Sequence, residues 1–204
     1  MAMISMRDIS IVRNGRTVLS HFSAEIEPGT ITAIIGPNGS GKSSLIAAIA
    51  GDIALSEGEI YLSGKNLSDL SLIDQAALRS VVIQNRNYWL SFSAQEVIEM
   101  GQSKDARERI PSVVEELDMA QYINQSVTTL SGGEAQRVEI ARALVRDTEI
   151  YLLDEPLASQ DSQSKFRIIA SLEKLRAEGK TILIIAHLDK NSLAWCDQVI
   201  DTLA

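Results

Sequence analysis

Cysteine is almost absent. Cys196 stands alone among 204 residues, so no disulfide can form within the chain, and a single thiol suits a reducing compartment. Long apolar runs are missing as well. None reaches the roughly 18 residues that a bilayer-crossing helix requires, and residues 1–8 lack the basic-then-apolar order of a secretory leader. Positive charge is in short supply: 19 Lys and Arg against 27 Asp and Glu leave a net charge of −8, which argues against nucleic acid as the main partner. These absences predict a soluble, cytoplasmic protein whose membrane association, if it has one, is peripheral. Hydrophobic residues, by contrast, make up 45% of the chain. That is too many for disorder, and at this length they are enough for one domain with a full core.

The most informative stretch is Gly36-Pro37-Asn38-Gly39-Ser40-Gly41-Lys42-Ser43, followed by Ser44. It fits G-x-x-x-x-G-K-[ST], a phosphate-binding loop. The apolar run at 31–35 before it reads as a buried strand, and residues 44–50 after it read as a helix. Strand, glycine-rich turn and helix N-terminus together make an anion site, because backbone N–H groups can approach phosphates and the helix dipole adds positive potential. In such a loop Lys42 reaches the β- and γ-phosphates, and the Ser43 hydroxyl is a ligand for Mg²⁺.

Around this loop the chain alternates strands and helices. Residues 4–12 and 18–26 predict two strands joined at Asn14-Gly15, and 59–62 a short third strand. Residues 74–79 predict a short helix, followed by a strand at 80–83 that ends at Gln84. Residues 85–92 hold three of the nine aromatics, Tyr88, Trp89 and Phe92. This segment reads either as a buried loop or as an exposed docking patch. A capping box at Ser93 and Glu96 starts a helix that runs to about Met100 and stops at Gly101. Residues 105–120 predict a further helix with Pro111 as its weak point, and Val113, Val114, Leu117 and Ala120 on its apolar face. Residues 85–125 therefore read as an inserted helical subdomain.

Ser131-Gly132-Gly133-Glu134 opens another helix. Ser131 and Glu134 make a second capping box, yet two glycines in a first turn cost helix stability. They make sense where something approaches the backbone closely, and an anion is the natural candidate. A buried strand at 150–153 ends in Asp154-Glu155-Pro156. Two adjacent carboxylates on an extended chain point opposite ways, so one can serve Mg²⁺ while the other faces a water. Residues 161–178 predict an amphipathic helix. The strand at 181–186 ends in His187, at the carboxyl edge where open α/β sheets gather their ligands.

These motifs, in this order, resemble the nucleotide-binding subunit of an ATP-binding-cassette (ABC) transporter over nearly the whole chain. The resemblance implies an α/β fold: a P-loop NTPase core with a mostly parallel sheet, an N-terminal antiparallel β region and an inserted helical subdomain. It implies one ATPase domain across 1–204, with 1–84 and 126–204 as the core and 85–125 as the subdomain. ATP and Mg²⁺ are the implied ligands. Lys42 and the loop amides would hold phosphates, Ser43 and Gln84 would bind Mg²⁺, and Asp154 would support the metal through water. Glu155 would be the general base, and His187 would contact the γ-phosphate. Ser131 and Gly133, with Gly132 and Glu134 in the same signature, would meet ATP bound on a second copy in a head-to-tail dimer. The other implied partners are membrane-spanning permease subunits, which would place the chain on the inner face of the cell membrane.

Ser91-Phe92-Ser93 with 96–101 resembles importers of iron–siderophores, haem or vitamin B12. The short chain instead resembles the haem exporter ATPase of cytochrome c maturation. The segment favours the importers. ABC ATPases outside transport carry two cassettes or long coiled coils, whereas this chain has one cassette and no sustained heptads. Three positions depart from the family pattern. Val12 or Arg13 stands where an aromatic usually stacks on adenine. The D-loop reads Ser159-Gln160-Asp161 where Ala-Leu-Asp is commoner. The chain also stops at Ala204, which predicts an incompletely covered edge at Val199-Ile200.

Overall fold

A computed structural model describes residues 1–84, 88, 90–186 and 190–202. The chain opens with a β-hairpin, β1 (Ile4–Arg13) and β2 (Arg16–Ile26), followed by β3 (Ile31–Ile35). Helix α1 (Lys42–Ile49) then leads to β4 (Glu57–Leu62), the two-residue β5 (Lys65–Asn66), α2 (Leu72–Leu78) and β6 (Arg79–Val82). Three short helices come next: α3 (Ala94–Glu99), α4 (Lys104–Glu108) and α5 (Ile110–Glu116). The chain continues through α6 (Gly132–Leu144), β7 (Ile150–Asp154), α7 (Ser162–Ala177), β8 (Thr181–Ile185) and β9 (Gln198–Asp201).

Two sheets form. One is antiparallel in the order β2-β1-β4-β5, and the other has the order β6-β7-β8-β3-β9. Every pairing within the second is parallel. The parallel sheet lies between two apolar layers, as the side-chain period of two dictates. Tyr151, Leu153, Ile182 and Ile184 face one core, shared with residues of α3, α5, α6 and α7. Ile150, Leu152, Leu183 and Ile185 face the other, shared with α1 and the antiparallel sheet. A strand buried on both faces needs an unbroken apolar run, and β7 and β8 are buried at all positions.

The expected single helix over 105–120 is in fact two. Arg109 closes α4 and leads into α5, whose first turn holds Pro111. Proline lacks an N–H, and in a first turn that N–H has no intrahelical acceptor, so Pro111 begins a helix rather than bending one. Beyond Glu116 the chain turns, which exposes Ala120 and buries Met119. In the aromatic segment Tyr88 and Phe92 pack against the core while Leu90 is 63% exposed. Trp89 lies outside the described residues. Val199 and Ile200 are half-buried on the edge strand β9.

Candidate functional site

Because all five strands of the parallel sheet run the same way, their carboxyl ends share one edge. β3 delivers the phosphate loop there, β6 delivers Gln84, and β7 delivers Asp154 and Glu155. The loop enters α1 at Gly41, whose φ of 89° is left-handed. A Cβ at Gly41 would collide with the Val18 carbonyl oxygen on β2, so only glycine fits both the angle and the space. The Lys42 side chain folds back over the loop and donates from Nζ to the carbonyl oxygens of Gly36 and Pro37, 2.8 Å each. Burial lowers the pKa of its ammonium from the ordinary value. The carboxylates of Glu155, Asp154 and Asp201 oppose that shift.

Asn38, Gly39, Gly41 and Lys42 of the phosphate loop line one cavity of about 650 Å³ together with Ser43, Ser44, Gln84 and Glu155, within the range of small-molecule sites. Val18 lines the same cavity; nothing in a strand sequence marked it, because it arrives through the packing of β2 on the loop. Val12 is 47% exposed and Arg13 is also exposed, at the tip of the β1–β2 hairpin. Asp154 is buried at the end of β7, directly before Glu155. His187 falls outside the described residues.

Glu155 has a left-handed backbone, φ 53°, as does Ser159, φ 56°. The Glu155 carbonyl accepts a hydrogen bond from Gln136 Nε2 at 2.6 Å. The signature residues Ser131, Gly132, Gly133 and Glu134 stand apart from the first cavity, at the start of α6. Ser131 Oγ accepts from the Glu134 N–H, and the Glu134 carboxylate accepts from the Ser131 N–H at 2.9 Å, so the capping box is closed. The Ser131 hydroxyl and N–H hold the Glu134 carboxyl below its ordinary pKa. Gly132 borders a second cavity, about 250 Å³, with Gln84, Gln136 and Ser159. Gln84 therefore belongs to both cavities. Gln160 and Arg137 also bind across this region. Sequence reasoning overlooked their contacts because each links segments far apart in the chain.

Residues 19–158 match the family described as ABC transporter. The chain belongs to that family. It is 32% identical over 200 residues to the hemin import ATP-binding protein HmuV of Rhodococcus jostii, covering 94% of this chain and 68% of that protein. It is 31% identical over 208 residues to the zinc transport system ATP-binding protein TroB of Treponema pallidum, covering 97% and 77%. Its fold superposes with a TM-score of 0.83 and 26% identity on the dimeric post-hydrolysis state of an ATP-binding cassette bound to ADP and Pi, covering 98% of this chain and 94% of that one. As a member of the family the chain is an ABC ATP-binding subunit that binds and hydrolyses ATP. ABC ATPases work as dimers with a membrane permease. Among the described residues no helix is long and apolar enough to cross a membrane.

Proposed function

We propose that this chain powers import across a membrane through a separate permease, with a cargo of the iron–siderophore, haem or vitamin B12 type. The observation that carries the ATPase half of this reading is the single cavity in which Lys42, Ser43, Gln84 and Glu155 meet. The cargo rests on the relatives named for hemin import and on the resemblance of segment 91–101. The same reading treats the chain as one ATPase domain with its helical subdomain at 85–125. The chain would sit on the inner face of the membrane, with no nucleic acid as partner.

The geometry supports the following roles. Lys42 and the loop N–H groups hold the phosphates of ATP, and Lys42 exchanges its hold on Gly36 and Pro37 for the β- and γ-oxygens. The Ser43 hydroxyl and the Gln84 carboxamide present hard oxygen donors on the same cavity, a donor set that fits Mg²⁺. These two residues would hold the ion, with Asp154 behind them through water. Bound there, Mg²⁺ supplies charge neutralisation to the phosphates. Glu155 orients the attacking water and takes its proton as the water oxygen bonds to the γ-phosphorus, the bond from that phosphorus to the bridging oxygen breaks, and ADP and phosphate leave. Ser131, Gly132, Gly133 and Glu134 are on another surface, which fits a role toward ATP held by a second copy. A two-fold axis makes such an arrangement closed and reciprocal.

Glu155→Gln tests this reading. The variant keeps shape and hydrogen bonding but loses the base. Its turnover falls at least about a hundredfold while ATP binding persists, and a closed dimer accumulates on size-exclusion chromatography with ATP. Normal turnover, or a chain that stays monomeric with ATP, contradicts it. Reconstitution with the co-purified permease, haem and zinc as alternative cargoes, decides the cargo.

A further inference from the structure

Residues 155–160 form a loop with two non-glycine residues in the left-handed region, Glu155 and Ser159. Such conformations persist only where the surroundings over-determine them. At its start the loop is held by the Gln136 amide on the Glu155 carbonyl. At its end the holding group is Gln160, whose side chain is buried and fully used. Gln160 Nε2 donates to the Gly133 carbonyl at 3.0 Å and to Gln136 Oε1 at 3.3 Å. Gln160 Oε1 accepts from the Arg137 guanidinium at 3.1 Å. Arg137 is itself fixed by the Tyr122 hydroxyl at 2.9 Å and by Ser164. Gly133 allows the close approach, because a Cβ there would stand 2.7 Å from the Ser159 carbonyl oxygen. One carboxamide thus ties together the first turn of α6, the side chain that grips Glu155, and the loop behind Glu155. Leucine, commoner at this position in the family pattern, could make none of these bonds.

We infer that Gln160 is a positioning residue for hydrolysis: with Gln136 it clamps the 155–160 loop to the start of α6 and so fixes where the Glu155 carboxylate points. The inference rests on the reading of Glu155 as the group that orients water. It acts on the chemical step, since the hydrogen bonds of the two glutamine side chains go to Gly133, Arg137, Glu155 and each other.

The test uses Gln160→Leu in the full-length chain, with Gln160→Met as a second variant that keeps length without the amide. Rates are normalised to the fraction that binds ATP, and melting temperature is followed in parallel. Displacing a catalytic group by a fraction of an ångström to an ångström costs between about tenfold and a hundredfold in rate. Both variants therefore lose turnover by about that factor, while the KM for ATP moves less than about twofold. Gln136→Met lowers turnover too, and the double variant is no worse than the poorer single, because both act through one clamp. In a Glu155→Gln background, Gln160→Leu leaves the residual rate unchanged, since no base remains to misplace. A merely structural role for Gln160 would lower that residual rate as well. Unchanged turnover in Gln160→Leu, or an equal loss in both backgrounds, overturns the inference and leaves the role of Glu155 standing. Normal turnover in Glu155→Gln removes both.

Discussion

The starts of α1 and α6 are two helix N-termini preceded by glycine or serine turns, and they solve the same problem in opposite ways. A helix start leaves backbone N–H groups without intrahelical acceptors. Among the described residues no side chain caps α1, and its first turn has no acid. α6 satisfies itself through the reciprocal bonds of Ser131 and Glu134. The first therefore leaves its N–H groups uncapped by any side chain and open to an anion. The second is closed, with a carboxylate where a γ-phosphate would come. In the proposed head-to-tail dimer, one half of each nucleotide site is ready and the other has to open.

The largest effect expected from breaking this contrast is on the prepared side. Gly41→Ala must hold a left-handed angle, at about 1–2 kcal/mol, and must also displace the Val18 carbonyl, at about 1–3 kcal/mol more. ATP affinity of the isolated chain, measured by titration, falls at least about thirtyfold, or about 2 kcal/mol. An affinity within twofold of the parent would show that the loop tolerates a side chain there. On the closed side, Glu134→Gln keeps an oxygen for the Ser131 N–H but removes the charge. ATP-dependent dimerisation in the Glu155→Gln background strengthens by about three- to tenfold, or about 0.7–1.4 kcal/mol. Light scattering across a protein dilution series measures it, and a weaker dimer would place Glu134 away from the phosphates. The smallest effect is on stability. Gly132 has ordinary helical φ and open space around it, so Gly132→Ala raises thermal stability by up to about 0.5–1 kcal/mol. Gly133→Ala, facing the Ser159 carbonyl, lowers stability instead. Equal melting temperatures for the two alanine variants would remove the close packing of the 155–160 loop on α6.

The same contrast explains what could be read in advance. The phosphate loop, the Ser131–Glu134 box and Asp154-Glu155 are each written in a few consecutive residues, because each is a local solution to strand-end or helix-start chemistry, whereas Gln84 was marked only by the resemblance to the family. The strands β7 and β8 were legible in their unbroken apolar runs, while the parallel order of the sheet followed from the resemblance to the family. The division of 105–120 was not, since helix propensity continues across Arg109 and only the position of Pro111 in a first turn separates α4 from α5. Nor was the Gln160 clamp legible. Glutamine in a loop is ordinarily a solvated residue, and its meaning here comes from Gly133, Gln136 and Arg137, more than twenty positions away. Val18 is hidden for the same reason.

Thr202, directly after β9, has a bearing on the order in which the loop is completed. Its hydroxyl pairs with Ser40 at 2.8 Å across a separation of 162 residues, and its N–H donates to the Ile35 carbonyl at 3.0 Å. Its side chain also occupies the space that a Cβ on Gly36 would need. The loop is thus synthesised 162 residues before the side chain that completes it. β3 waits for β8 and β9 on either side, and both come more than a hundred residues later. Pairings of such high sequence separation form slowly. A nascent chain therefore carries the phosphate-loop sequence through the synthesis of more than a hundred further residues before β8, β9 and Thr202 can close around it.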